Sequence, residues 1–199
     1  KALAIQEAEG LTMVPPFDHE WIIAGQGTAG LEILDQCPNV AAVLVPIGGG
    51  GLAAGVAAAI KQSRPDVKVI GVEPTGAAKM KRSVDAGHPV TLSSTDTIAD
   101  GLMPVRPGDL TFAHVQKFVD RVITVDDKEI IAAVLWIFAN ARLVAEPSGA
   151  ATTAAVLSGA LDTALRGFDS TLPFAGPIVA IVSGGNMGVE KLAEWSNAD

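Results

Sequence analysis

The sequence predicts an α/β fold of three layers, a mostly parallel sheet with helices on both faces. Three observations predict it. Short apolar runs recur at 41–47, 67–73 and 177–183, with the Val, Ile and Ala content of strands buried on both faces. Helical stretches alternate with these runs, the pattern of a parallel sheet. Glycine clusters, Gly48 to Gly51 and Gly184-Gly185, follow two of the runs, where such sheets bind ligands.

Taken in order, residues 2–9 read as a helix and LTMV at 11–14 as a short strand. PPFDHE breaks the chain, and Asp18 is placed as N-cap of a helix to about Asp35. AAVLVPI (41–47) is the first buried strand. GLAAGVAAAIKQ (51–62) is the helix after it, ended by Arg64-Pro65-Asp66. VKVIGVE (67–73) is the second strand and leads to a helix near 76–86. Three prolines and many Ser and Thr make 87–108 a loop, and a short helix starts at about Asp109. RVITVDD (121–127) is the third strand. Asp126 and Glu129 then have the spacing of a capping box, for a helix to about Val144. EPSGAA opens a helix to about Leu165, PIVAIVS (177–183) is the fourth strand, and GGNMGVEKLAEW opens the last helix.

Composition narrows the function classes. The 199 residues carry 14 Lys and Arg against 22 Asp and Glu, a net charge of −8. That acidic surface argues against nucleic acid, whose phosphates need a basic face. The single cysteine, Cys37, excludes an intramolecular disulfide or multi-cysteine metal site and reads as a packing residue. No apolar run is long enough for a membrane span, and KALAIQEAEG lacks the apolar core of a secretion signal, so a cytoplasmic protein is expected. The chain opens on Lys1, already inside a helical stretch, which reads as a fragment.

Four consecutive glycines between a strand and a helix allow backbone N–H groups to face an anion, with the helix dipole adding favourable charge. A phosphate is the natural guest, and two kinds compete. A dinucleotide is suggested by Gly48-x-Gly50-x-x-Ala53 after a strand, with Glu73 ending the next strand as a ribose-binding acid. GQGTAG at 25–30 fits the same pattern by letter, but it lies within a helix, where its glycines allow close packing. A Walker A loop is excluded because no Gly-Lys-Ser/Thr follows. GxSxG is absent, and His19, His88 and His114 read as surface residues rather than bases. The second candidate is the monophosphate of pyridoxal phosphate. Ser183 in SGGN closes the last strand, and a hydroxyl facing a pyridine nitrogen would hydrogen-bond it without full protonation, tuning the electron sink.

In this order, PPFDHEWIIAGQGTAGLEIL, VPIGGGGLAAGVAAAIK, VIGVEP, TIADG, ITVDDKEI, AEPSGA and IVSGGNMG resemble the large domain of fold-type-II pyridoxal-phosphate enzymes, in particular the threonine dehydratase and serine racemase family. The resemblance spans essentially the whole chain. It implies a remnant of a small domain at 1–15 and an incomplete large cofactor-binding domain at 16–199. It also implies dehydration and deamination of L-threonine or L-serine to a 2-oxo acid and ammonia. Phe17, where racemase-like members tend to carry Asn, points to the dehydratase branch. The alternatives are a serine racemase, a nucleotide-binding module or an inactive fragment.

Carried over by residue, the resemblance places Gly48, Gly49, Gly50, Gly51 and the amide of Leu52 around the cofactor phosphate, and Gly101 close to the cofactor. Ser183 would meet the pyridine nitrogen, Asn186 would support that turn, and Glu146 would lie near the ring. Glu73 and the carbonyl of Ala77 match a divalent-cation site of metal-activated members. Those members carry an acid where this chain has Lys79, so no Mg²⁺ or Ca²⁺ is expected, and Glu73 has Lys79 as an alternative ion-pair partner. The family's Schiff-base lysine and substrate-carboxylate loop lie in segments this chain does not contain. The chain alone is therefore expected to be inactive. A second polypeptide with the N-terminal part, or self-association as a homo-oligomer, is expected to complete it around a small amino-acid substrate, with neither nucleic acid nor membrane as a partner.

Overall fold

In the computed structural model, which describes residues 1–165 and 176–197, the strands are β1 (Ala42–Pro46), β2 (Lys68–Pro74), β3 (Arg121–Val125) and β4 (Ile178–Ala180). They form one sheet in the order β3-β2-β1-β4, and every pair is parallel. The register sets Leu44 opposite both Ile70 and Ala180. All five residues of β1 are buried, as the continuous apolar run requires.

Neighbouring side chains of one strand serve two cores, because successive residues point to opposite faces. Val43, Val45, Val69 and Val122 join one core with Val56 and Ile60 of α3 (Gly51–Ser63) and Phe112 and Val115 of α5 (Asp109–Phe118). Leu44, Ile70 and Val72 join the other with α6 (Asp127–Ala141), α7 (Pro147–Leu157) and α8 (Ala160–Leu165). The sheet is thus covered by helices on both sides, as the alternation of elements predicted.

On the first face α2 (Glu20–Gln36) packs onto α3 through glycines. A β-carbon at Gly30 would stand 2.9 Å from the Val56 carbonyl, and one at Gly55 would collide with the Ile23 carbonyl. GQGTAG is therefore a helix–helix contact, as its position in the sequence suggested. Half-buried Cys37 closes α2 and packs against the same core.

Several boundaries differ from expectation. LTMV forms no strand: Leu11 and Val14 are exposed, and none of the described strands pairs with them. The helix near 76–86 is a 3₁₀ turn at Thr75–Ala77 followed by α4 (Lys79–Ala86). The helix expected from Pro147 to Leu165 breaks at Gly159, whose φ of 78° ends α7 before α8 begins. Helix α6 stops at Ala141, with Arg142 in the left-handed region (φ 59°), short of Val144. Asp126 and Glu129 make the reciprocal capping box at its start. The last strand is shorter than PIVAIVS, although the Ile181 N–H still reaches the Leu44 carbonyl at 3.1 Å.

The Asp18 assignment is corrected. The N-cap of α2 is His19, whose Nδ1 accepts the Trp21 N–H at 3.1 Å. Asp18 turns away and caps α5, accepting from the N–H groups of Asp109, Leu110 and Thr111 at 3.0–3.1 Å. The site described next depends on that bond.

Candidate functional site

The carboxyl end of β1 runs directly into the four glycines, and α3 starts at the last of them. Gly50 is the N-cap of α3 with φ 103° and no side-chain cap, a conformation other residues adopt only with strain. The loop carbonyls are engaged: Gly49 accepts the Thr111 hydroxyl at 2.7 Å and the Gly108 N–H at 3.3 Å, and Gly50 accepts the Ala54 N–H at 2.8 Å. The first N–H groups of α3 have no intrahelical acceptor, so Gly51 and Leu52 offer donors at the positive end of a 13-residue helix. Asp18 holds the start of α5, and Thr111 of α5 holds Gly49, so the PPFD turn and the glycine loop are fastened together. The Phe17 ring lies against Gly49, where a β-carbon would overlap it.

The opposite wall comes from three distant segments. The turn at Asp100–Leu102 brings Gly101 against the loop, where a β-carbon on Gly48 would be 2.7 Å from the Gly101 carbonyl. Buried Ser148 accepts the Gly101 N–H at 2.9 Å, joining this turn to the first turn of α7. Glu146 is the N-cap of α7, and its carboxylate accepts the N–H of Asn186 at 2.9 Å. Gly184, at φ 81°, passes so close to that carboxylate that a β-carbon would overlap it.

These segments enclose one cleft of about 590 Å³ at the carboxyl ends of β1 and β4. Gly48, Gly49, Gly50, Gly51, Leu52, Gly101, Glu146 and Ser183 all line it. Asn186 does not: its side chain is exposed, and it reaches the site through its backbone N–H to Glu146. The sequence reading assigned no role to Ser148 or Thr111, and took Phe17 only as a branch marker. Ser148 and Phe17 line the cleft, and Thr111 braces the loop from behind. The motifs AEPSGA and PPFD were the available signals for the first two.

Glu73 is fully buried, which removes the ribose-binding role. Its carboxylate caps α4 by accepting the N–H groups of Met80 at 3.0 Å and Lys81 at 2.8 Å, and it pairs with Lys79 at 3.0 Å. Burial pushes the Glu73 pKa up and the Lys79 pKa down, each opposed by the charge of the other. A dinucleotide would find no acid here.

The donor set suits a monophosphate ester. Helix-start amides and a glycine cradle whose missing β-carbons leave room for oxygens are the chemistry of anion binding. Among the described residues no Lys, Arg or His lines the cleft. Among the described residues the Ser183 hydroxyl has no hydrogen-bond partner and is available to a ligand on the cleft's β4 side. Pyridoxal phosphate, a monophosphate ester with a ring nitrogen that accepts a hydrogen bond, fits this donor set.

Known proteins match along the same length. The model of the pyridoxal-phosphate dependent enzyme family matches residues 1–189. The L-threonine dehydratase biosynthetic IlvA of Escherichia coli (strain K12) is 51% identical over 150 residues, 75% of this chain and 29% of the relative. The structure of the processed form of threonine deaminase isoform 2 from Solanum lycopersicum superposes with a TM-score of 0.88 at 41% identity, covering 98% of this chain and 52% of that one. Maize serine racemase gives a TM-score of 0.88 at 40% identity, over 96% and 56%. The chain spans between about a third and about a half of the length of these relatives.

Proposed function

The chain belongs to the fold-type-II pyridoxal-phosphate-dependent enzymes of the threonine dehydratase family, and we propose that it forms the cofactor cradle of an enzyme converting L-threonine, or L-serine, to a 2-oxo acid and ammonia. One observation carries the reading: positions spread from Gly48 to Ser183 meet in a single cleft at the strand ends. In the net reaction the substrate loses its α-proton and β-hydroxyl as water, and the resulting enamine takes up water and releases ammonia. Bound in the cleft, pyridoxal phosphate supplies the electron sink that makes the α-proton labile.

The residues of this chain bind and orient. The amides of Gly49 to Leu52 would hold the phosphate, and the dipole of α3 favours its charge. The Ser183 hydroxyl would donate a hydrogen bond to the pyridine nitrogen while keeping its own proton, since a hydroxyl is too weak an acid to give it up. Glu146, fixed by the Asn186 N–H, would order the ring's edge. Phe17, Leu102 and Pro104 supply apolar lining that excludes water. Among the described residues no lysine lines the cleft, so the base for the α-proton comes from another segment or a second polypeptide. In this reading residues 1–15 are the remnant of a small domain, consistent with an α1 (Ala2–Glu9) that has no buried residue, and residue 16 onward is the large domain.

The test is a turnover assay on the full-length protein supplied with pyridoxal phosphate and L-threonine. Formation of 2-oxobutanoate and ammonia in equal amounts supports the reading. D-serine from L-serine with no 2-oxo acid would replace it with the racemase that the maize structure suggests.

A further inference from the structure

The one fully buried cation in the described structure stands beside the cleft without lining it. The Lys79 ammonium has three protons and meets three oxygens: Glu73 Oε1 at 3.0 Å, the Ile47 carbonyl at 2.9 Å and the Leu102 carbonyl at 2.9 Å. Each oxygen belongs to a different segment. Ile47 immediately precedes Gly48, Leu102 immediately follows Gly101, and Glu73 is the penultimate residue of β2. The two carbonyls are therefore those that flank the two glycine walls, which already touch where Gly48 passes the Gly101 carbonyl.

Stability is a poor explanation for this charge. Burying an ion pair costs desolvation that its mutual attraction only partly returns, and apolar replacements of such pairs are often neutral or stabilising. An apolar side chain could fill the volume, but could not bind two carbonyls and a carboxylate at once. We propose that Lys79 is a positioning residue for the anion cradle: its ammonium is a tethered cation that clamps the glycine loop to the Gly101 turn and sets the width of the cleft between them. Glu73 orients that ammonium while capping α4, so the clamp is referenced to the sheet itself. The proposal rests on the cleft being the phosphate site.

The test compares the purified full chain with Lys79→Met and with Lys79→Met/Glu73→Gln, the latter leaving no charge unpaired. Three readouts are taken: thermal midpoint, backbone amide exchange by mass spectrometry, and affinity for pyridoxal phosphate. The double variant is expected to melt near the wild type while exchange rises at 47–52 and 100–104 and stays unchanged elsewhere. Its affinity is expected to fall by between about twofold and thirtyfold, the range for residues that act on a site without touching the ligand. Unchanged exchange in those two segments, or loosened segments with wild-type affinity, would overturn the clamp. If the wild type itself takes up no pyridoxal phosphate, the phosphate reading fails, and the exchange pattern still decides whether Lys79 holds the two walls together.

Discussion

Asp18 Oδ1 accepts the N–H of Thr111 at 3.1 Å across 93 positions of sequence, and the Thr111 hydroxyl donates to the Gly49 carbonyl at 2.7 Å. A helix cap borrowed from a distant turn thereby steadies the loop at the centre of the candidate site. Asp18→Ala leaves three helix-start amides without their acceptor. It should cost about 1–2 kcal/mol, the upper part of the range for a lost cap, with Asp18→Asn costing less. Denaturant unfolding of the two variants checks the order.

Gly50 has no tolerated replacement. At φ 103° a methyl group is strained, and it would stand 2.8 Å from Met80 Cε and 2.9 Å from the Thr111 side chain. Gly50→Ala should destabilise by about 1–3 kcal/mol, the cost of a residue held in such a conformation. Binding of inorganic phosphate, followed by calorimetry, should weaken with it. A Gly50→Ala protein of wild-type stability would contradict the described loop.

Removing one partner of the buried pair should do more than removing both. Glu73→Gln leaves the Lys79 ammonium without a counter-charge, at a cost of about 3–5 kcal/mol near neutral pH. Burial already lowers the Lys79 pKa, and Glu73 is what opposes the drop. Between that lowered value and the ordinary 10.5 the unfolded chain binds a proton that the folded one lacks, so stability rises with pH through this window. Glu73 acts in the opposite sense: its raised pKa gives stability present near the ordinary 4.5 that is lost as pH rises through the folded value. The variant keeps the first slope and loses the second, so its deficit should shrink toward alkaline pH. Thermal midpoints measured from pH 6 to pH 10 should show it; a deficit constant with pH would contradict the assignment.

Ser183→Ala should leave the fold intact, because the hydroxyl bonds nothing among the described residues. Cofactor affinity and turnover in the full-length enzyme should both fall, by between about twofold and about thirteenfold for a hydrogen bond worth about 0.5–1.5 kcal/mol. Unchanged kinetics would remove the role given to this hydroxyl.

The sheet, its helices and the glycine loop were legible because each leaves a local signal. Buried strands read as apolar runs, and a loop that must pass within van der Waals distance of Gly101 and Phe17 admits only glycine. Asp18 shows the limit. An acid just before a helix looks the same whether it caps that helix or one more than ninety residues away, and only the fold decides. Ser148 and Thr111 are hydroxyls whose partners lie 47 and 62 positions off, which no spacing rule reaches. Lys79 is a harder case: the sequence offers it as an ion-pair partner of Glu73, but nothing local marks it as buried. Its burial follows from three oxygens brought together by β2, the glycine loop and the Gly101 turn. LTMV carries strand-forming residues, but a strand needs a neighbour, and none of the described strands lies beside it.

In the proposed function the phosphate of the cofactor sits on the start of α3. Amide ¹H–¹⁵N spectra of the protein titrated with pyridoxal phosphate, and separately with pyridoxal, test it at single residues. The amides of Gly49, Gly50, Gly51 and Leu52 are expected to move with pyridoxal phosphate and to stay in place with pyridoxal at the same concentration. Equal shifts with both compounds, or shifts confined to residues outside the cleft, would contradict it.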